Sequence, residues 1–309
     1  MQKRRAQAPS AAVMIRPHHF RPNPETQGDN AFQSRSAPQA ASELKKRAFD
    51  EVSRAATALR EAGVRIDLFA DEEEQTPDSV FPNNWFSTHP DGDVAIYPMF
   101  TPNRRLERRN DIIEMLKREF RVRNITDYSG LEQDGLYLEG TGAMVLDYIG
   151  RIAYVARSNR SSQTVLERFC AHFNYEPVVF AATGRDGAPV YHTNVMMCIA
   201  TEFALIGADM IEDRERADGI TRRLGQSGRE VVALNIDQIE NFAGNAIELQ
   251  GKSGRILAIS ARAVAALRRE QLALIENSVE IVPLAVPTIE LAGGSVRCML
   301  ASNHLAPRN

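Results

Sequence analysis

The 309-residue sequence predicts an α/β fold of five ββαβ units that close into a ring. One observation is that secondary-structure signals recur along the chain in the order strand, turn, strand, helix, strand. The other is spacing. A polar or reactive residue stands just before or within the opening strand of each unit, at intervals of 55, 53, 53 and 53 residues: Asn84, Glu139, His192, Asn245 and Cys298. A ring would bring all five to one central mouth, whereas a generic α/β domain would make the equal spacing a coincidence.

The first unit is incomplete at its start. AVMIRP predicts a strand, residues 42–61 a helix and VRIDLFA a second strand. We expect SVRCMLAS, at the other end of the chain, to supply the missing strand and pair with the first, which would remove a sheet edge. The helix is predicted from apolar residues at steps of three or four: Leu44, Ala48, Val52, Ala55, Leu59 and Ala62.

The other four units are complete in the sequence. The second has NWFST, a PDGD turn, VAIYPM, the helix LERRNDIIEMLKREF and RVRNIT. The third has GAMVLDY from Gly140, RIAYVAR, the helix SSQTVLERFCAHF and EPVVFAA. The fourth has NVMMCIA, FALIGADM, a weaker helix ending near Gln226 and EVVALNI. The fifth has NAIELQ, ILAIS, the helix ARAVAALRREQLALIEN and EIVPLAV.

Composition and charge narrow the class of protein. Hydrophobic residues make up 43% of the chain and charged residues 25%, and the net charge of −3 argues against nucleic acid or membrane as a partner. Residues 1–12 lack the apolar core of a signal peptide, so we expect a disordered tail there, followed by one domain over residues 13–309. Three cysteines, an odd number, favour a reducing compartment and therefore a cytoplasmic protein.

Three of the evenly spaced residues form a chemically coherent set. Cys298, in GGSVRCML, is a strong nucleophile as a thiolate, and His192, in VYHTN, can move protons near neutral pH. Glu139, in YLEGTG, can orient that imidazole and hold substrate N–H groups. Cys170 and Cys198 lie in apolar segments and are expected in the core. The chain has no zinc or phosphate-loop motif, so we expect no metal and no cofactor.

These residues resemble the guanidine-modifying superfamily, the penteins, over residues 13–305. That superfamily has an acid in an EG motif, a base in an H-x-[DN] motif and a nucleophile in a C-terminal Gly-rich motif. The matching residues are Glu139-Gly140, His192-Thr193-Asn194 and Gly293-Gly294 followed by Cys298. The resemblance implies a five-bladed α/β propeller with pseudo-five-fold symmetry around a central channel. MIRPHHFRPNPET and FPNNWFSTH most resemble citrulline-utilisation hydrolases, which are often filed as amidinotransferases.

The sequence departs from the arginine-acting members at two positions. They carry aspartates that bind the guanidinium where this chain has Asn84 and Asn194. An amide supplies both a donor and an acceptor, which fits a neutral ureido group such as that of citrulline. Succinylarginine dihydrolases nevertheless carry the same paired asparagines and act on a guanidine. We expect Asn83 to be a turn residue, and Asn84 and Asn194 to bind the head group of the substrate.

Three further residues carry weaker expectations. Arg160, in RSNRSS, corresponds to a segment that holds the substrate α-carboxylate in deiminases, although a solvated arginine at a helix start explains it equally well. Asn245 is expected to support the backbone, and Trp85 to pack in the core.

We therefore expect a hydrolase that cleaves citrulline to ornithine, carbon dioxide and ammonia through an adduct on Cys298, with residues 21–40 gating the mouth. One alternative is an amidinotransferase, and another is a hydrolase of arginine or succinylarginine. An alternative of another class is a non-catalytic binding module. The expected partner is a small amino-acid substrate. The oligomeric state stays open, with a homodimer as one option.

Overall fold

The computed structural model describes residues 6–34 and 40–308, and these residues contain fifteen short strands. The strands are β1 Ala11–Pro17, β2 Arg65–Asp71, β3 Phe86–Thr88, β4 Asp93–Ile96, β5 Asn124–Asp127, β6 Met144–Asp147, β7 Ile152–Ala156, β8 Glu176–Phe180, β9 Met197–Ile199, β10 Phe203–Ile206, β11 Glu230–Ala233, β12 Ile247–Gln250, β13 Arg255–Ser260, β14 Glu280–Leu284 and β15 Ala301–Asn303.

The strands form five three-stranded sheets with one common plan. The first strand of each sheet pairs antiparallel with the second, and the second pairs parallel with the third. The parallel pair requires a crossover, and a helix supplies it in each unit. The fold is the five-bladed α/β propeller of ββαβ units that the sequence predicts.

The crossover helices cover the outer faces of the sheets. α1 buries the predicted apolar stripe except Ala62, which follows the last helical residue and is half-buried. The helix predicted for the fifth unit is two helices, because the backbone is extended at Leu267 and Arg268. The helices are α1 Ala41–Glu61, α2 Asn110–Glu119, α3 Gly140–Ala143, α4 Gln163–Phe173, α5 Arg214–Gln226, α6 Ile236–Glu240, α7 Ala261–Ala266 and α8 Arg269–Glu276.

The two ends of the chain meet in one sheet, as predicted. β15 pairs antiparallel with β1, with Ala12 opposite Ser302. The strand is shorter than predicted, however, because residues 295–300 form turns instead of extended backbone. Those turns are fixed by hydrogen bonds from Cys298 N and Met299 N to the carbonyl of Ser295.

The N-terminal segment differs from the expected disordered tail. β1 begins at Ala11, and the buried side chain of Gln7 donates to the carbonyls of Leu146 and Ile199 at 3.0 Å each. Its oxygen accepts from Tyr148 N at 2.9 Å, so residues from 7 onward are attached to two neighbouring blades. The expectation is therefore wrong for the described part of the tail, while residues 1–5 lie outside the described residues.

Apolar side chains pack in clusters between neighbouring sheets and under the helices. Trp85 is fully buried against Phe86, as expected for a core residue. Cys170 and Cys198 are buried in this core, and burial raises the pKa of each thiol to about 12. Within the described part of the chain, no helix is both long and apolar enough to cross a membrane.

Candidate active site

Each of the five evenly spaced residues lies in the turn that leads into the first strand of its blade. The strand that follows is β3 for Asn84, β6 for Glu139, β9 for His192, β12 for Asn245 and β15 for Cys298. All five residues are 2% exposed or less. The equal spacing therefore reflects the repeat of the fold.

Glycines let these turns approach one another closely. A Cβ on Gly142 would lie 2.2 Å from the side-chain amide of Asn84 and 2.8 Å from His192 Nδ1. Gly140, at φ +47°, has the backbone carbonyls of Asn83 and Asn84 at 2.4 and 2.8 Å from the same position. Because backbone atoms cannot move aside as a flexible side chain can, a larger residue at Gly140 would separate the first two turns, whereas one at Gly142 would displace the side chains of Asn84 and His192.

His192 and Glu139 form a buried pair. Nε2 of His192 lies 2.8 Å from Glu139 Oε2, so the other ring nitrogen, Nδ1, faces Gly142. Burial lowers the pKa of His192 to about 4, although the bond to Glu139 opposes that shift. Burial alone would raise the pKa of Glu139, but Arg160, the hydrogen bond with His192 and Arg104 together hold that pKa well below its usual range. At neutral pH the pair is a neutral imidazole beside a carboxylate, which is the protonation state of a general base.

Cys298 lies in the turn before β15 with amide groups around its sulfur. Nδ2 of Asn194 is 3.3 Å from Sγ, and Nδ2 of Asn245 is 3.2 Å from it. The hydroxyl of Tyr191 donates to the carbonyl of Gly293 at 2.5 Å, which attaches the segment before β9 to the cysteine turn. The structure therefore brings the predicted nucleophile together with the segment that carries His192 and Asn194.

The amide oxygen of Asn194 has no hydrogen-bond partner among the described residues, although it is fully buried. A buried acceptor without a partner costs about 1–3 kcal/mol, so an N–H from a ligand would satisfy it. Asn194 is thus placed both to contact the sulfur and to accept a hydrogen bond from a bound head group.

Asn84 is engaged differently from the expectation that it binds substrate. In the orientation that satisfies its neighbours, its amide oxygen accepts from Arg104 Nη1 and Nη2 at 3.0 and 3.1 Å. Its nitrogen then donates to Asn83 Oδ1 at 3.1 Å. The Asn84 side chain lies at the mouth beside His192, but a buried arginine occupies its acceptor.

Arg104 is a site residue that sequence reasoning missed. Its buried guanidinium makes two 2.9 Å bonds to Glu107 and lies 3.7 Å from Asp78 and 3.6 Å from Glu139. Burial raises the pKa of Glu107 to about 7 despite this arginine. Arg104 belongs to the PNRRLE turn after β4 and is not among the evenly spaced residues. Only the folded chain shows the role of this turn.

Arg160 lies at the mouth and already holds carboxylates. Its Nη1 lies 3.3 Å from Glu139 Oε2, while Nε and Nη2 donate to the two oxygens of Asp29 at 2.9 and 2.7 Å. Parallel bonds of this kind are how a guanidinium recognises a carboxylate. The alternative of a solvated arginine is wrong, because Arg160 is 1% exposed.

Asp29 belongs to residues 21–34, which we call the mouth segment. Asn23 donates to Asp78 at 2.8 Å, and Asn30 donates to the carbonyl of Ala292 at 3.1 Å. A cavity of about 470 Å³ lies between this segment and the loops at 157–159 and 186–191. The predicted gate therefore contacts the site on several sides. Residues 35–39 of the predicted gate lie outside the described residues.

The fold and this site can now be compared with known proteins. Residues 16–305 match the model of a family described as N,N dimethylarginine dimethylhydrolase, eukaryotic. The chain belongs to this family. It is thereby a pentein, a member of the guanidine-modifying superfamily. A sequence search finds no match among curated proteins.

Several solved structures share the pentein fold. The apo structure of ArgZ, an arginine dihydrolase from the ornithine-ammonia cycle in cyanobacteria, superposes with a TM-score of 0.73 at 18% identity, covering 94% of this chain. Unliganded AgrE superposes with a TM-score of 0.70 at 18% identity, covering 94% of this chain. A dimethylarginine dimethylaminohydrolase adduct gives 0.64 at 14% identity, covering 94% of this chain and 98% of the other. This pentein spans 40% of the ArgZ chain and 38% of the AgrE chain.

Proposed function

We propose that this pentein hydrolyses a C–N bond in the ureido or guanidino head group of an amino acid, with Cys298 as nucleophile and citrulline as the preferred substrate. The observation that carries the proposal is the grouping of Cys298, Asn194, the His192–Glu139 pair and Arg160 in one buried site. The family match supports a hydrolase of this class.

Two parts of an amino-acid substrate find partners in this site. The side chain of Asp29 shows that Arg160 can hold a carboxylate through two parallel bonds, so the substrate α-carboxylate would take the same place. The unpaired oxygen of Asn194 would accept an N–H of the head group and bring the head-group carbon to the sulfur.

The covalent step uses His192 twice. The neutral imidazole accepts the proton of the Cys298 thiol, and Glu139 stabilises the imidazolium that forms. The thiolate attacks the head-group carbon, the C–N bond breaks, and the departing nitrogen takes the proton from His192. The same ring then removes a proton from water, which attacks the carbon. The C–S bond breaks, and the released sulfur takes that proton from His192, which restores the thiol and the neutral imidazole.

The charges around the head group support a neutral substrate. Glu139 is the carboxylate bonded to His192, and it already lies near both Arg104 and Arg160. A substrate guanidinium would enter beside two like charges, and a cation left partly unpaired in a buried site is costly. A ureido group brings no charge and offers N–H donors with one acceptor.

A specific observation also favours arginine-type substrates as a second candidate. Three buried carboxylates, Asp78, Glu107 and Glu139, share two buried guanidinium groups, which leaves room for one more cation. The ArgZ structures are those of an arginine dihydrolase, and the family is described by a dimethylated arginine.

The experiment that separates the two is the ratio of kcat/KM for citrulline and arginine. We expect the wild type to prefer citrulline, and Asn84→Asp to move the preference toward arginine by roughly tenfold or more, because it adds a negative charge at the mouth. Asn83→Asp is the matched control, since it adds the same charge one residue away. A wild type that prefers arginine would exclude citrulline as the main substrate. Equal shifts in both variants would remove Asn84 from the explanation.

The fate of the adduct needs its own measurement, because an amidinotransferase would pass it to an amine. Products are analysed with and without added glycine or lysine. Hydrolysis predicts the same products in both reactions, whereas a new guanidino or ureido compound of the added amine would show transfer.

A further inference from the structure

The geometry points to the side-chain amides of Asn245 and Asn194 as a cradle that positions the Cys298 sulfur and donates hydrogen bonds to the thiolate formed when His192 takes its proton, which makes Asn245 a positioning residue for the nucleophile. The inference rests on the proposed function, because it assigns a reason for the reactivity of Cys298.

Asn245 is fully buried, and every polar atom of its side chain is used. Its Oδ1 accepts from the backbone N–H groups of Ser295, Arg297 and Cys298 at 3.2, 3.1 and 3.4 Å. Its Nδ2 donates to the carbonyl of Asn194 at 2.9 Å and to Cys298 Sγ at 3.2 Å. This network fixes which end is oxygen: reversing the amide would turn Nδ2 toward three N–H groups and the oxygen toward a carbonyl.

The carbonyl end of Asn245 shapes the cysteine turn. Three backbone N–H groups of this turn donate to Oδ1 of Asn245. The N–H of Arg297 also donates to the backbone carbonyl of Asn245 at 3.2 Å. The turn before β15 is thereby attached to the turn before β12. The position of the sulfur relative to the rest of the mouth depends on this attachment.

The amide nitrogen of Asn245 contacts the sulfur directly, and among the described residues it is one of two donors there. Asn194 donates to the same sulfur from the neighbouring blade at 3.3 Å. Two amide N–H donors directed at one sulfur leave it as an acceptor, and a thiolate is a far better acceptor than a thiol. Hydrogen bonds to the charged form of a group favour that form, so both amides stabilise the thiolate that attacks the substrate.

Other groups around the sulfur set the background for this effect. Arg297 on the same turn and Tyr191 on the segment before β9 interact electrostatically with Cys298. His192 follows Tyr191, and its neutral ring at pH 7 contributes no positive charge until it accepts a proton. The amides therefore supply a stabilisation of the thiolate that does not wait for the imidazolium.

If Asn245 only held the cysteine turn in place, replacing it by aspartate would leave the reactivity of Cys298 unchanged. Asn245→Asp therefore distinguishes a structural role from a role at the sulfur. Asn245→Asp keeps oxygens for the three backbone N–H groups but removes the donor and places a negative charge beside the sulfur. Asn194→Ala removes the second donor without touching the cysteine turn, because the Asn194 side chain makes no other hydrogen bond among the described residues. Asn235→Asp is the matched control, since that exposed side chain oxygen only caps α6.

The measurement is the rate of alkylation of Cys298 by iodoacetamide as a function of pH, in the absence of substrate, with the site identified by mass spectrometry. We expect the alkylation rate near neutral pH to fall by roughly tenfold in Asn245→Asp and in Asn194→Ala, because each variant removes one of the two donors to the thiolate. Asn235→Asp should keep the wild-type profile. In Asn245→Asp, kcat for citrulline should fall with little change in KM.

Three results would overturn the cradle. One is a wild-type alkylation profile in Asn194→Ala, which also decides the matter if Asn245→Asp does not fold. Another is a folded Asn245→Asp with an unchanged profile, and the third is a wild-type Cys298 that reacts no faster than an ordinary thiol. A folded wild type that turns over neither citrulline nor arginine would instead contradict the proposed function, so the two failures are distinguishable.

Discussion

At the scale of single residues, the site is built from groups that are individually unremarkable in sequence and become reactive through burial. His192 and Glu139 are a common pair of residue types, but at 2.8 Å and nearly without solvent they shift each other's protonation. The three buried cysteines differ in their surroundings. Two amide N–H groups donate to the sulfur of Cys298, whereas burial raises the pKa of the thiols of Cys170 and Cys198.

Replacing the nucleophile should separate chemistry from folding. We expect Cys298→Ser to lower kcat by about a thousandfold or more, because a hydroxyl gives up its proton far less readily than a thiol and is the weaker nucleophile. The melting temperature should stay close to that of the wild type. In a trapped wild-type reaction, mass spectrometry should find the substrate-derived adduct on Cys298. An adduct on Cys170 or Cys198 would refute the assignment.

The depressed pKa of His192 predicts a pH dependence of stability. The pKa of His192 in the folded protein is about 4, against 6.5 for an unperturbed histidine, so the unfolded chain binds the extra proton between these values. The free energy of unfolding should therefore fall as the pH falls from 6.5 to 4, by up to about 1.4 kcal/mol per pH unit for this proton.

Urea unfolding at several pH values checks this prediction. His192→Asn should reduce the slope in that window, where His89 and His304, whose pKa values burial also lowers, still contribute. Glu139, whose pKa is also held low, should contribute its own loss mainly below pH 4.5. An unchanged slope in His192→Asn would show that the histidine is not buried in its neutral form.

At the scale of elements, the mouth segment is the part of the chain whose contacts with the blades a bound substrate must replace. It is attached to the blades by polar groups: Asp29 to Arg160, Asn23 to Asp78 and Asn30 to Ala292. Hydrogen bonds and ion pairs of this kind re-form with a substrate at little net cost, unlike a buried apolar face. α1, by contrast, packs on the sheets mainly through its buried apolar stripe.

Hydrogen exchange should distinguish these two elements. We expect amides in residues 23–34 to change protection when substrate binds, while amides in α1 do not, because the substrate carboxylate competes with Asp29 for Arg160. Asp29→Asn should raise exchange of the segment in the absence of substrate, since the ion pair is lost. Equal protection of the segment with and without substrate would contradict a gating role.

At the scale of the whole molecule, the ring depends on contacts between blades that lie far apart in sequence. Thr88, at the end of β3, donates to the carbonyl of Ser302 at 3.0 Å and accepts from His304 N at 2.8 Å. Arg229 and Asp147 form a buried two-bond ion pair between another two blades. Such contacts fix the blades around the mouth.

Thr88→Val tests the closure of the ring. The substitution keeps the shape of the side chain but leaves the Ser302 carbonyl and the His304 N–H without this partner, which should cost about 1–3 kcal/mol of unfolding free energy. Thr57→Val is the matched control on the exposed face of α1, where Thr57 bonds only within the helix, and should change stability by less than about 0.5 kcal/mol. Equal effects of the two variants would show that the Thr88 bonds do not stabilise the ring.

The sequence by itself determined the repeat, the ring and the residue types at the mouth. Strands and helices are indicated by local periodicity, and the length of the repeat can be read from the sequence without knowledge of any contact. The sequence alone therefore identifies the five evenly spaced residues, which are Asn84, Glu139, His192, Asn245 and Cys298. Local patterns also predicted most element positions, with errors where turns interrupt them, at residues 295–300 and at Leu267 and Arg268.

Tertiary structure alone decided which polar groups meet. Asp29 and Arg160 are bonded across 131 residues, and Arg104 donates to the oxygen of Asn84 from the turn after β4. The two ends of the Asn245 amide acquire different roles only when the turns before β12 and β15 lie side by side. Hydrogen bonds depend on distances of a few tenths of an ångström, and such distances are set by the packing of whole blades and leave no periodic trace in a sequence.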